Sequence, residues 1–506
     1  VNGGGLPRLD RAFVQAESFP ERILQFGEGN FLRAFVDWMV HRMNARGLFG
    51  GRVVVVQPIA QGTAAALAAQ DGLYTVVLRG LERGERRASQ EIVSVVSRAI
   101  DPYREPEALL RCSAIPELRF VVSNTTEAGI RVDDDDRLDG RPPPSFPAKL
   151  TQLLWARFRQ FDGDRARGLV MLPCELVERN GVALRAAMDE LVQRWELPAA
   201  FTRWLDDACV FASTLVDRIV TGRPPADEAE ELAQRLGYRD ELLVTGEPFH
   251  SWVIEGPAEL ERELPLRAAG LNVTFTTDLA PYRQRKVRVL NGGHIVVAPA
   301  AYLAGIDTVR ACMDDDIVRG FLDGALADEI LPTLAMPRLE AEAFAVSVLD
   351  RFRNPFVEHR LFDIALNSVS KFRARVVDTM LDYARTERRL PQRLAFATAA
   401  LIGFQRGLRA DGSRFPIRDE PEVARFFGEL WAAELPPLPL ARQVLGRAEL
   451  WGQDLVAALP GLDEAVAAHL AAMAALGPRA AMARAQAEAA APPGSRPARS
   501  AARAGG

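Results

Sequence analysis

The sequence is poor in the residues that build disulfide and metal sites. Only four cysteines occur, Cys112, Cys174, Cys209 and Cys312, far apart and with no C-x-x-C. That spacing excludes a disulfide framework and fits a reducing cytoplasm. The five histidines, His41, His250, His294, His359 and His469, make no H-E-x-x-H and no ligand pair at helical spacing, so no metal is expected. A net charge of −5 offers no basic field to nucleic acid. No apolar run is long enough to span a bilayer, so no membrane partner is expected either. No secretory leader opens the chain, and its first residue, Val1, suggests an altered or trimmed start. Such a chain is expected to be cytoplasmic.

What remains is an ordinary globular composition, 48% hydrophobic and 25% charged, over 506 residues, enough for two to four domains. Glu21 to Phe26 is apolar and short, a buried strand. Gly27-Glu28-Gly29 follows, and then a helical period through Phe35 to Met43. In a strand–turn–helix, Gly27 makes the tight turn and Gly29 admits a pyrophosphate to the backbone at a helix N-terminus. Leu32 stands where the third glycine of G-x-G-x-x-G would be, so an unliganded glycine turn stays open as the alternative. The expected cofactor-binding segment is Ile23, Leu24, Gln25, Phe26, Gly27, Glu28, Gly29, Asn30, Phe31, Leu32, Arg33 and Ala34. A second apolar strand ends at Gln57, where such domains often place an acid for the ribose. No acid follows until Asp71 and no arginine meets a 2′-phosphate, which favours NAD over NADP.

Further strands are expected after Asp71, over Glu91 to Ile100, Leu118 to Ser123, Gly168 to Cys174, Phe249 to Ile254 and Leu271 to Thr276. Alternating with helical segments, they argue a parallel sheet completed near residue 275. Asn124 and its polar neighbours at a strand end suit a ligand or an ordinary turn. Asp133 to Asp136 reads as a solvated loop. Asp217-Arg218 reads either as an ion pair or as part of a site. Past residue 276 helical spacing takes over, in segments near 281–304, 307–328, 338–350, 359–384, 390–408, 420–434 and 445–475. The expected fold is an α/β Rossmann-like domain over 1–275 and a mostly α-helical domain over 276–476. The Ala/Arg/Pro-rich tail over 477–506 is expected to be disordered.

One stretch concentrates chemistry: Lys286, Asn291 and His294, on a helix expected from about Pro281 to Ala304. At about 100° per residue, Asn291 lies roughly 60° and Lys286 roughly 80° from His294, on opposite sides of it, within one ~140° face. A base and two hydrogen-bond donors suit a carbonyl or secondary alcohol; a solvated lysine and a core histidine are the plainer alternative. Arg351 and Arg353, between two helices, with Lys371 and Arg373 beyond, form a candidate pocket for an anionic substrate, with ordinary surface basic residues as the plainer alternative.

Taken together, Gln25 to Trp38, Gln70 to Thr75, Ser123 to Gly129, Pro173 to Leu176, Ser213 to Gly222, Lys286 to His294 and Arg351 to Pro355 resemble the long-chain polyol dehydrogenase (mannitol dehydrogenase) family, from about Phe19 to about Leu470. The resemblance implies a Rossmann domain, a helical domain, a site in the cleft between them, NAD and no metal. Its K-x4-N-x2-H motif implies Lys286 as general acid/base, with Asn291 and His294 polarising the reacting oxygen. A lysine amine, pKa ~10.4 in water, must be lowered to do this near neutrality. Sugar-alcohol members carry C-D-N where this chain has Cys174-Glu175-Leu176. That departure argues against a plain mannitol dehydrogenase; the resemblance is to a branch acting on a six-carbon sugar acid at C3, and Arg351, Arg353 and Lys371 are the expected residues for its carboxylate. A sugar-acid relative of different preference, a polyol dehydrogenase and a non-catalytic NAD(H) sensor are the alternatives. Oligomeric state is not encoded in any of these motifs.

Overall fold

The computed structural model describes residues 6–14, 18–125 and 129–490. It divides into two compact units, Val1–Tyr282 and Arg283–Gly506. The divide falls within the helix Ala280–Arg285, a little beyond the change of pattern at residue 275.

Among its described residues the first unit carries thirteen strands: β1 (Glu21–Phe26), β2 (Arg52–Val56), β3 (Tyr74–Glu82), β4 (Glu85–Val93), β5 (Val96–Ile100), β6 (Phe120–Ser123), β7 (Val170–Pro173), β8 (Val210–Phe211), β9 (Ser213–Asp217), β10 (Val220–Gly222), β11 (Val244–Gly246), β12 (Ser251–Glu255) and β13 (Val273–Thr276). Six of them form a parallel sheet in the order β5-β2-β1-β6-β7-β8. The order reverses between β1 and β6, and a crevice at the carboxyl ends of such strands is where doubly wound sheets bind dinucleotides. Continuous apolar runs make these strands because both faces are covered. Alternation sorts Ile23, Val53 and Val55 into one core and Leu24, Phe26, Val54 and Val56 into the other, all at 1% exposure or less. Each such side chain contributes about 1.5–3 kcal/mol.

Two expectations are corrected. β12 and β13 do not complete the parallel sheet; with β9 they form a separate three-stranded sheet. The segment after Asp71 is a long antiparallel hairpin, β3–β4, in a four-stranded sheet with β10 and β11. The apolar character of a strand marks its burial and not its partner.

The second unit is helical. Among its described residues the extended pairings are two isolated bridges, Thr308↔Arg360 and Leu408↔Arg414. The expected tail needs correction too. Pro478–Ala490 is a helix whose Ala481, Met482 and Ala485 are buried, and it packs on Asp316–Gly324 and Leu462–Leu476. Alanine reads as coreless by composition, yet its small side chain lets helices approach closely. Residues 491–506, the rest of that expectation, lie outside the described residues. No helix among the described residues is long and apolar enough to cross a membrane.

Candidate active site

The nucleotide half is in the first unit. β1 ends at Phe26, and Gly27 turns the chain with φ +125°, where a Cβ would meet the Asn124 carbonyl oxygen at 3.0 Å and Leu32 at 3.1 Å. Only glycine fits there. At Gly29, by contrast, an added Cβ would meet nothing within 4 Å. The helix that follows opens at Asn30 with no side-chain cap at Gly29, which leaves its first N–H groups without a side-chain acceptor from the cap residue. An open glycine backbone at an uncapped helix start fits a pyrophosphate.

Of the expected cofactor segment, only Gly29, Asn30 and Phe31 are open to solvent. Ile23, Leu24, Phe26, Leu32 and Ala34 are core residues that build the turn. Arg33 is structural: its guanidinium donates to the carbonyls of Glu28 and Leu242 and to Asn30 Oδ1. Beneath it, Gln25 and Tyr74 donate to the fully buried Asp37, whose carboxyl burial pushes up to about 6. Burial also raises the Glu28 carboxyl, opposed by the Thr63 N–H. The equivocal Asp217-Arg218 is resolved on the arginine side: Arg218 donates to the carbonyls of Ala34, Glu247, Pro248 and Phe249, so it ties the helix after the glycine turn to the loop between β11 and β12. Asp136, expected in a solvated loop, is fully buried and accepts from the Ser145 N–H and hydroxyl.

At the sheet's carboxyl edge, Glu175 accepts from the Ser123 hydroxyl and from the Thr125 N–H and hydroxyl, each at 3.0 Å. Glu175 thus ties the ends of β6 and β7 together. Leu176 beside it is 63% exposed. Thr126, Glu127 and Ala128 of that loop lie outside the described residues.

The chemical half is in the second unit. The helix expected from Pro281 runs over 280–303, as Ala280–Arg285, a π turn Lys286–Asn291, and Gly292–Leu303. The Gly292 N–H reaches back to the Val287 carbonyl, five residues away. In an α-helix residues five apart diverge by roughly 140°. A π turn closes its ring at i+5, so Asn291 comes nearly above Lys286. From Arg288 to Ala301 every residue is buried except Asn291 and His294. Those two are the breaks in a buried stretch, and Lys286 is half-buried together with the rest of 281–287.

The His294 ring stacks on Phe352, centroids 4.1 Å apart, and meets His359 edge-on at 5.8 Å. Its Nε2 is buried without a hydrogen-bond partner. Burial, and then the positive surroundings of His359, Arg351 and Arg375, hold it well below the ordinary imidazole range. It is therefore neutral near pH 7. The Asn291 amide likewise makes no hydrogen bond to a described residue.

The expected carboxylate residues separate. Arg351 is buried and near enough to His294 and His359 to lower both. Lys371 is lowered by burial and by Arg375, and its Nζ donates to the Ile364 carbonyl at 2.9 Å. Arg353 instead faces Asp323, whose carboxyl is raised by burial and drawn back by that arginine. Arg373 is exposed. Sequence reading missed Arg375, which is half-buried and makes no hydrogen bond or ion pair with a described residue. Its position four residues after Lys371, one turn along a helix, was the available signal. His359 was visible only as one of few histidines. Among the described residues no group of His, Cys, Asp and Glu is arranged to hold a metal.

The mannitol dehydrogenase Rossmann domain model matches residues 21–268, and the mannitol dehydrogenase C-terminal domain model matches 278–474. An altronate oxidoreductase of Klebsiella pneumoniae (strain 342) is 46% identical over 467 residues, 91% of this chain and 96% of that protein. One from Yersinia enterocolitica is 45% identical over 480 residues, 94% and 99% of the two chains. In fold, the chain is similar to a substrate-free D-sorbitol dehydrogenase, with TM-score 0.78 and 23% identity over 92% of this chain and 95% of that one. It is also similar to a Pseudomonas fluorescens mannitol 2-dehydrogenase in ternary complex with NAD and D-mannitol, with TM-score 0.63 and 21% identity over 92% and 94%. With both of its domain models matched in order along nearly the whole chain, and relatives this similar, the protein belongs to the mannitol dehydrogenase family.

Proposed function

We propose that this chain is an NAD-dependent oxidoreductase that interconverts D-altronate and D-tagaturonate. The observation that carries the reading is the helix over 280–303, where Asn291 and His294 are the half-buried positions in the buried stretch 288–301, half-buried Lys286 opens the π turn before them, and positive side chains surround His294. The naming of the relatives as altronate oxidoreductases supports the sugar acid. The uncapped, open glycine turn supports the dinucleotide.

Bound NAD supplies or accepts the hydride. In the oxidising direction neutral Lys286 takes the proton of the reacting hydroxyl. In the reducing direction its ammonium returns a proton to the nascent alkoxide. Asn291 and neutral His294 donate to the oxygen as negative charge develops on it; such donors lower a barrier by roughly 2–4 kcal/mol each. Arg351, Arg375 and Lys371 hold the substrate carboxylate, and their charge also favours the neutral form of the Lys286 amine. Arg353, which lies near Asp323, has the smaller part. Four buried, unpaired cysteines suit a reducing cytoplasm.

The test is a panel in which NADH oxidation is followed with tagaturonate, fructuronate and fructose. The reading expects tagaturonate to exceed fructuronate in kcat/KM by tenfold or more, with fructose lower still. Equal rates with fructose would contradict it.

A further inference from the structure

The position where a Rossmann domain places its ribose-reading acid is closed in this chain. β2 ends at Val56, and the next residue, Gln57, is 3% exposed. Its amide is spent on its own loop: Nε2 donates to the Ile59 and Ala60 carbonyls at 2.9 and 3.1 Å, and Oε1 accepts the Ala64 N–H at 3.3 Å.

A carboxylate nevertheless stands at that strand end, delivered from the neighbouring strand. β1 pairs with β2 in register, Phe26 opposite Val56. Two residues past Phe26, Glu28 reaches across to the loop after β2 and accepts the Thr63 N–H through Oε1 at 3.2 Å. The fit is close: a Cβ at Gly62 would come within 2.1 Å of Glu28 Oε1 and 2.5 Å of Gln57 Cδ. Glu28 Oε2 takes no hydrogen bond from another described residue. The backbone next to it, at Gly29, is the open one.

We propose that Glu28, from the glycine turn, reads the adenosine ribose in place of an acid at the end of β2, accepting the 2′-hydroxyl and excluding a 2′-phosphate by charge. The assignment rests on the dinucleotide reading of the first unit. A phosphate ester there would set up to two negative charges against a carboxylate that the loop holds in place, a repulsion strong at short range in partly desolvated surroundings. Gln57 cannot compensate, because each of its polar atoms is already engaged.

The experiment uses the full chain without nicotinamide and two redox-inert probes, ADP-ribose and 2′-phospho-ADP-ribose, with Kd measured by calorimetry. Wild type is expected to bind ADP-ribose at least thirtyfold more tightly, on the order of 2 kcal/mol of discrimination. Glu28→Gln keeps an oxygen for the Thr63 N–H and removes the charge; the preference should fall at least tenfold. Glu28→Ala, which also drops the loop bond, should show the same collapse and serves if the glutamine variant folds poorly. A merely structural Glu28 would weaken both probes equally and leave the ratio intact, and that result overturns the proposal. If wild type binds neither probe, the dinucleotide reading itself fails. If wild type prefers ADP-ribose and the variants keep that preference, only the role of Glu28 fails.

Discussion

At the scale of single residues, the choice of lysine is informative. Of the 62 lysines and arginines only three are lysine: Lys149, Lys286 and Lys371. Arginine cannot be deprotonated in a protein and so cannot act as a base. A chain that uses arginine almost everywhere keeps an amine at position 286, where a proton must come and go. Asn291 and His294 have polar atoms left unengaged by the described residues, as donors aimed at a reacting oxygen require. Asn291→Ala or His294→Ala should each cut kcat by roughly 30- to 1,000-fold while NADH binding, followed by nicotinamide fluorescence, stays within a few-fold. Asp37 gives a separate prediction for stability. Its folded pKa of about 6 stands above its unfolded value of 3.8. Its contribution is therefore fully present below the unfolded value and is lost as pH rises through about 6. Asp37→Asn lacks that loss, so between pH 4 and 7 the variant should gain on wild type by up to about 3 kcal/mol in urea unfolding. A difference that does not change with pH would contradict the buried, proton-holding carboxyl.

At the scale of elements, the helix over 280–303 was legible and its geometry was not. The periodicity of Ile295 to Leu303 and the proline at its start announce a helix. Nothing in residue order announces the π turn, because an i→i+5 closure is imposed by what packs against it. Here the neighbour is a second π turn, Arg373–Val377, whose Arg375 carbonyl lies 3.3 Å from where a Gly292 Cβ would be. Gly292→Ala must push these two turns apart by a few tenths of an ångström. Alanine favours helix over glycine by about 1 kcal/mol. The melting temperature should therefore move little, while kcat falls ten- to a hundredfold as Lys286 and Asn291 shift from the substrate. Unchanged kcat would show that the close crossing does not set the site's geometry. The strands show the same division. Apolar runs marked β1, β2, β6 and β7 well. They did not distinguish β12, equally buried, which pairs with β9 and β13, because pairing is decided by the return of distant chain. Glu28 was named within the expected cofactor segment, but residue order did not show what its side chain does; that is seen only when it reaches Thr63.

At the scale of the whole molecule, composition misled only at the end of the chain. The tail's Ala/Arg content resembles segments without a core, but Pro478–Ala490 seals the second unit with Ala481, Met482 and Ala485. Burial of Met482 alone is worth about 1.5–3 kcal/mol. A chain ending at Gly477 should melt several degrees lower than the full chain, and an unchanged melting temperature would mean that this helix adds nothing. The two-unit plan itself was legible because strand signals stop where helical ones begin, and the family's domain models meet in the same region.

The central claim is that the Lys286 amine carries the proton for hydride exchange at one carbon of a sugar acid. Turnover of tagaturonate by Lys286→Ala, with and without added methylamine, tests it most directly. The account predicts a loss of 10²- to 10⁴-fold in kcat at unchanged NADH affinity, with partial recovery as the free amine is added. Turnover within a few-fold of wild type, with no response to the amine, would contradict it.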